Sequence, residues 1–158
     1  MSPREVVLEY YESLRRGEPL YPYFLEDAGT TKIGVGETLR GYEAVAEGLL
    51  EQTRSTDSWS VRSHRLAVSD RDTHATFVDR VDLEWRDTVR DEWRSFDTRW
   101  TGTLEPSPRP PAPDGAPAGD ADRSGETGDG STEGDRETEW RFLVMHVSAP
   151  YAWNGDNL

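Results

Sequence analysis

Apolar residues recur along this chain with two different periods, and the period changes once. Near the start the spacing is helical: Val7, Tyr10, Tyr11 and Leu14 fall at i, i+3, i+4 and i+7. Ser2, Pro3 and Glu5 read as a capping box with proline at the first helical position. Arg15 and Arg16 suit the negative end of the helix dipole, and Gly17 supplies the stop. The segment EPLYPYFLED predicts a short, proline-interrupted helical turn rich in aromatic residues. TTKIGVG predicts a short strand, and GYEAVAEGLLEQT a second helix with Tyr42, Val45 and Leu49 on one face.

From Trp59 onward the period is two. Strands are expected over residues 59–68, 74–85, 93–105 and 140–148, with turns at SDRD and RDTVRDE. Counting back from the first turn opposes Ala67 to Ala75, Ser63 to Asp79 and Val61 to Val81. Counting from the second opposes Trp85 to Trp93, Val81 to Asp97, Asp79 to Arg99 and Phe77 to Thr101. Under this register one face is apolar, and it carries Trp59, Val61, Ala67, Ala75, Phe77, Val81, Leu83 and Trp85. Asp79, Asp97 and Arg99 then meet on that apolar face. Directly opposed residues sit about 5 Å apart at Cβ. Buried charges cost stability unless paired, so the trio reads either as a pair that fixes the register or as a functional site. The last strand is apolar on both faces, with Trp140, Phe142, Val144, His146 and Ser148 on one and Leu143, Met145 and Val147 on the other. A second copy of the chain would cover the latter, which predicts a two-fold homodimer. His64 and His74 fall on the polar face and read as surface residues.

Composition adds a charge and an insertion. There are 31 acidic residues against 18 basic ones, a formal net charge of −13. Lys32 is the only lysine. Such a surface repels phosphate backbones, so nucleic acid is excluded as a partner. The bias toward acids and arginine resembles proteins of salt-accumulating archaea, in which self-repulsion is screened by salt. With no cysteine, disulfides and thiolate metal sites are excluded; no metal or cofactor is expected. No apolar run approaches the ~18 residues of a membrane span, and no apolar leader opens the chain, so a cytoplasmic protein without a membrane partner is expected. Residues 106–137 hold six Pro, six Gly and eight acids but no aromatic residue. They read as a disordered insertion in a hairpin. Lengthening a loop eightfold from ~4 residues costs only about 2 kcal/mol, so the last strand can still return to the sheet. One domain is expected, formed by residues 1–105 and 138–158 around the 106–137 insertion.

Three stretches carry a family resemblance: KIGVGETLRGYEAVAEGL, FDTRWTGTLE and EWRFLVMHVSAP. They resemble the SnoaL-like, ketosteroid-isomerase-like branch of the nuclear transport factor 2-like superfamily, here of haloarchaeal type. Glu37, Gly41, Arg99, Thr101, Trp140, His146 and Ser148 match its pattern. The resemblance implies an α+β fold: a cone-shaped, cystatin-like α+β barrel whose N-terminal helices pack in a curved antiparallel sheet. It also implies a pocket at one end of the cone. Members include isomerases, cyclases, dehydratases and epoxide hydrolases, and domains with no reaction. In residue type, Asp79, Arg99 and Asp97 resemble the Asp–Arg–Asp set of limonene-epoxide-hydrolase-like members.

Two functions follow from these readings. In the first, the domain binds a small hydrophobic molecule and performs acid–base chemistry of the isomerase, cyclase or hydrolase type. Asp79, Asp97, Arg99 and His146 would be catalytic, and Tyr11, Tyr23, Trp59, Phe77, Trp85 and Trp93 would line the pocket. In the second, the same fold is a non-catalytic binding or dimerisation domain. The presence or absence of a void beside Asp79 and Arg99 separates them.

Overall fold

The capping box at Ser2 forms as the sequence requires. Glu5 N–H donates to Ser2 Oγ at 3.1 Å, and Ser2 N–H donates to Glu5 Oε1 at 2.7 Å. The computed structural model describes residues 1–108 and 138–150. Helix α1 (Pro3–Arg16) ends at Gly17, whose φ of 71° is the left-handed conformation glycine adopts freely. A 3-10 turn (Tyr21–Tyr23) and two short strands follow, β1 (Thr31–Ile33) and β2 (Thr38–Arg40), then helix α2 (Tyr42–Ser55). The chain then runs through β3 (Thr56–Ser63), β4 (Ala67–Arg71), β5 (His74–Asp87), β6 (Glu92–Pro108) and β7 (Thr138–Ser148). The main sheet has the order β2-β1-β7-β6-β5-β3, with β4 also paired to β5. It is open rather than closed into a barrel. Helix α2 nevertheless touches β1 and β2 at one end of that order and β3 at the other, so the sheet curls around the helices.

The core lies between α1, α2 and the inner face of the sheet. Tyr10, Phe24, Phe77, Phe142, Leu104 and Met145 are buried there, with Tyr10 edge-on to both Phe24 and Phe142. Arg15 ties α1 to β3 by donating Nε and Nη2 to the Val61 carbonyl at 3.2 and 2.6 Å.

Irregularities in the sheet decide which side chains face inward. The first divides the expected strand 59–68 into β3 and β4. Ser63 lies opposite Val81, but Ala67 lies opposite Val78. Four residues along one strand match three along the other, so the faces exchange. Ala67 is exposed and Val68 packs on the core, a correction to the expected apolar face. The second is the turn after β5. Asp87 Oδ1 accepts the backbone N–H groups of Val89 and Arg90, both at 3.0 Å, and Asp87 pairs with Glu92. That tighter turn slips β6 by one residue from the expected register, so Val81 faces Thr98 and Asp79 faces Trp100. A one-residue slip inverts a strand. Phe96, Thr98, Trp100, Gly102 and Leu104 therefore point inward, and Trp93, Asp97, Arg99 and Thr101 outward. The third is a bulge in β7: Thr103 faces Val144 but Leu104 faces Phe142. Phe142, Met145 and Val147 are all buried as a result, and His146 is exposed.

The pairing of β6 and β7 reaches Pro108 and Thr138, three residues into the expected insertion. Prolines are tolerated here because β6 has already outrun β5, whose pairing stops at Leu104. The remainder of that insertion, 109–137, and the tail 151–158 lie outside the described residues.

Candidate functional site

The inward slip of β6 builds an aromatic wall. Trp59 on β3 stacks on Trp85 of β5 with ring centroids 4.5 Å apart, and Trp85 stacks on Phe96 of β6 at 5.5 Å. A shift in register between Asp57 and Ser60, with Ser58 at a φ of 56°, turns both Thr56 and Trp59 toward the same space. Thr56 Oγ1 then accepts the Trp59 indole N–H at 2.8 Å and fixes that ring. Trp100 is anchored in the same way, by its indole N–H to Thr98 Oγ1 at 2.9 Å, and Thr98 in turn donates to the Val81 carbonyl at 2.6 Å.

These rings border a cavity of about 620 Å³. Its floor is formed by the buried side chains of Tyr10, Leu14, Lys32, Leu83, Trp100 and Val147. Gln52 and Ser55 of α2 close one side, and the β1–β2 loop another. Exposed Glu37, Glu51 and Arg90 stand at its rim. The size suits a small organic ligand, and the wall is chiefly apolar with a few polar groups, as such sites are.

Lys32 is the unusual member. It is the central residue of β1, and strand alternation turns it inward, where it is 7% exposed. Its Nζ lies 3.5 Å from Glu37 Oε2. Glu37 is held there by the hairpin loop, which Gly34 N–H closes on the Glu37 carbonyl at 2.9 Å. Burial pushes the Lys32 pKa below its ordinary value of 10.5, and the Glu37 charge opposes that shift only in part. An ammonium has three donors, and Glu37 is its one ion-pair partner among the described residues. Tyr10 stands on the same floor, 1% exposed, and its hydroxyl has no hydrogen-bond partner among the described residues. Burial first, and the Glu37 charge second, push the Tyr10 phenol well up, so it stays protonated and able to donate. The cavity therefore joins a broad aromatic wall to a buried amine and a buried phenol with unused donors.

The residues expected to be catalytic divide. Asp79 is buried at 3% exposure, but it is saturated and does not line the cavity. Its Oδ2 accepts Tyr11 Oη at 2.8 Å and Ser63 Oγ at 2.6 Å. Its Oδ1 accepts the backbone N–H groups of Arg65 at 3.0 Å and Arg80 at 2.8 Å. Asp79 thus satisfies the donors freed where β3 breaks before β4, and raises the Tyr11 phenol pKa through burial and this hydrogen bond. Asp97 and Arg99 are exposed on the outer face, where Asp97 pairs with Arg80 at 3.3 Å. His146 is exposed on the same face, opposite Thr101 and Ile33. The expected cluster of four is therefore not formed, because the turn at Asp87 and the bulge in β7 carry three of its members outward.

The expected lining residues divide too. Trp59 and Trp85 line the cavity. Tyr11 and Phe77 are core residues; Tyr23 borders a smaller recess of about 310 Å³; Trp93 is 59% exposed on the outer face. Lys32 and Tyr10 were not expected as a polar pair. Their signal was a lone lysine in a chain rich in arginine, placed at the middle of a short strand.

Against known proteins, no family model matches the chain and no curated protein matches it. Solved structures do. A nuclear transport factor 2-like superfamily protein from Salmonella enterica serovar Typhimurium superposes with a TM-score of 0.65 at 14% identity, covering 98% of this chain and 92% of that one. A ketosteroid isomerase-like protein from Erwinia carotovora atroseptica gives 0.63 at 10% identity, covering 94% and 93%. A nuclear transport factor 2-like protein with a cystatin-like fold from Novosphingobium aromaticivorans gives 0.55 at 16% identity, covering 96% and 82%. The chain has the nuclear transport factor 2-like, cystatin-like α+β fold.

Proposed function

We propose that this domain binds a small, largely apolar molecule bearing a carbonyl or enol oxygen. The flat body lies against Trp59, Trp85 and Phe96, and the oxygen meets Lys32 and Tyr10. The observation that carries this reading is a buried Lys32 amine on a cavity floor that Tyr10 also lines, the Tyr10 hydroxyl having no hydrogen-bond partner among the described residues. A buried donor without a partner costs about 1–3 kcal/mol, and a ligand oxygen would relieve that cost. The acidic surface favours a neutral ligand over an anion. Acid–base chemistry of the isomerase, cyclase or hydrolase type belongs to the same reading, with Lys32 and Glu37 rather than Asp79 and Asp97 as proton carriers. The isomerase-like structural neighbour supports this chemistry by analogy of fold alone.

The test is a titration with 2-acetonaphthone, a flat aryl ketone, followed by calorimetry. One saturable site is expected. Trp85→Ala should weaken it roughly three- to tenfold, because an aromatic contact contributes ~0.5–1.5 kcal/mol beyond its area. An absence of saturable binding would overturn the reading. Binding that gives no turnover of any carbonyl substrate would leave the non-catalytic alternative.

The homodimer remains part of this proposal, on a changed surface. Met145 and Val147 belong to the core and cannot form the interface. What the outer face offers is Val78, which is 55% exposed, with half-covered Ile33 and Val144. Light scattering at twice the chain mass would support it, and the chain mass alone would end it.

A further inference from the structure

We infer that Lys32 is a carbonyl-trapping nucleophile, which forms an imine with an aromatic or other apolar aldehyde or ketone held in the cavity. The inference rests on the ligand-binding reading above and goes beyond it to a covalent step.

Three observations combine. First, the amine is inside: Lys32 is 7% exposed and forms part of the floor of a cavity of about 620 Å³. A surface lysine is solvated and cationic, and in that state it is no nucleophile. Second, a proton acceptor stands beside it: Glu37 Oε2 is 3.5 Å from Nζ and reaches solvent at the rim. Third, Tyr10 lines the same floor, and its buried hydroxyl has no hydrogen-bond partner among the described residues, which leaves it free to donate to a ligand oxygen. Burial also lowers the Lys32 pKa, which enlarges the fraction of free amine near neutral pH. The other charged groups around the cavity are Glu51, Asp87, Arg90 and Arg94.

The step balances without any co-reactant. Glu37 takes one proton from the ammonium. The Nζ lone pair attacks the carbonyl carbon as the C=O π pair moves onto oxygen, where Tyr10 can donate a hydrogen bond. A proton passes from nitrogen to that oxygen and gives the carbinolamine. The nitrogen lone pair then expels the hydroxyl group, which leaves as water with the proton returned by Glu37. Ammonium and carbonyl have become iminium and water, and the Glu37 carboxylate is restored. The iminium withdraws electrons from the adjacent carbon, so the same pocket could then exchange a proton there.

The single lysine makes the test clean. The full chain is incubated with 2-naphthaldehyde and sodium cyanoborohydride at neutral pH, and intact mass is followed by peptide mapping. Only two kinds of amine can react, the Lys32 side chain and the chain's terminal amine. One naphthylmethyl group on Lys32 is expected, added at least tenfold faster than to N-acetyl-lysine amide in the same tube. Lys32→Met should lose this label and keep its circular dichroism. Glu37→Gln removes the charge that favours the ammonium, so it should move the pH profile of labelling at Lys32 to lower pH while leaving that of the terminal amine unchanged, which a merely structural role would not do. Label on the terminal amine alone, or on Lys32 no faster than on the free lysine derivative, overturns the inference. Displacement of bound 2-acetonaphthone by 2-naphthaldehyde separates the two readings. With displacement but no label on Lys32, the cavity binds and the covalent step fails. With neither binding nor label, both fail.

Discussion

At the residue scale, Lys32 and Asp79 show that burial does not define a role. Asp79 is the more deeply buried, yet all four of its donors are protein groups. Asp79→Ala should cost about 3 kcal/mol by denaturant unfolding, because it strands Tyr11, Ser63 and two backbone N–H groups, and it should leave 2-acetonaphthone affinity unchanged. Lys32 behaves oppositely. Its folded pKa lies below 10.5, so between those two values the unfolded chain binds more protons than the folded one. Stability from this group therefore rises with pH across that window, and its full cost is present below the folded pKa. Lys32→Met should stabilise the domain by ~1–2 kcal/mol at neutral pH, since an apolar side chain of similar volume often outperforms a buried charge. That advantage should shrink as pH approaches 10.5. A constant difference across the range would contradict a depressed pKa. Sequence reasoning found Asp79 as a buried acid on the apolar face, which it is. It missed Lys32 because a three-residue strand gives too little alternation to tell the inner side chain from the outer ones.

At the element scale, the helices were legible and the strand faces only partly so. The capping box, the stripe from Val7 to Leu14 and the stop at Gly17 are local signals, and each is realised. Strand β6 carried its own answer. Phe96, Trp100 and Leu104 alternate on one face, against Trp93 alone on the other. Counting from the turn overrode that pattern, because the Asp87 hydrogen bonds that tighten the turn have no hydrophobic signature. The bulges at Leu143 and near Ser58 are likewise silent in an alternation count; they appear as two inward residues at odd separation, Phe142 with Met145 and Thr56 with Trp59. The slip has a steric consequence at Gly102. A Cβ there would lie 2.6 Å from Phe77 Cε1 and would also strike the Val144 carbonyl oxygen. Gly102→Val should cost about 3 kcal/mol or more in thermal unfolding, whereas Thr101→Val, one residue along and outward, should cost little. Equal tolerance at both positions would contradict this register. Met145→Glu, placed at an interface by the sequence reading, should instead unfold the domain, since Met145 is fully buried.

At the scale of the whole molecule, the fold was legible through the family resemblance that three stretches carry, and the observed order of helices and strands agrees with it. The pocket was not readable, because it depends on one-residue irregularities near Ser58, at the turn after Asp87 and in β7 acting together. Charge works at this scale as well. With a net −13, self-repulsion should fade as the Debye length falls from about 10 Å at 0.1 M to about 3 Å at 1 M salt. The unfolding midpoint should therefore rise with KCl over that range, and a flat or falling trend would count against the salt-adapted reading. The paired ends Pro108 and Thr138 also allow residues 109–137 to be replaced by a Gly-Asn turn. That change should leave thermal stability close to the parent chain, and a loss of several kcal/mol would show that the segment packs on the domain.

Whether the buried amine of Lys32 faces a ligand cavity can be observed directly in a chain with one lysine. Protein made with 13C-labelled lysine gives one Cε resonance, followed by NMR across pH with and without 2-acetonaphthone. A midpoint below 10.5 and a saturable shift of that resonance on adding the ketone are expected. A resonance that titrates at the ordinary lysine value and ignores the ketone would contradict that placement of Lys32.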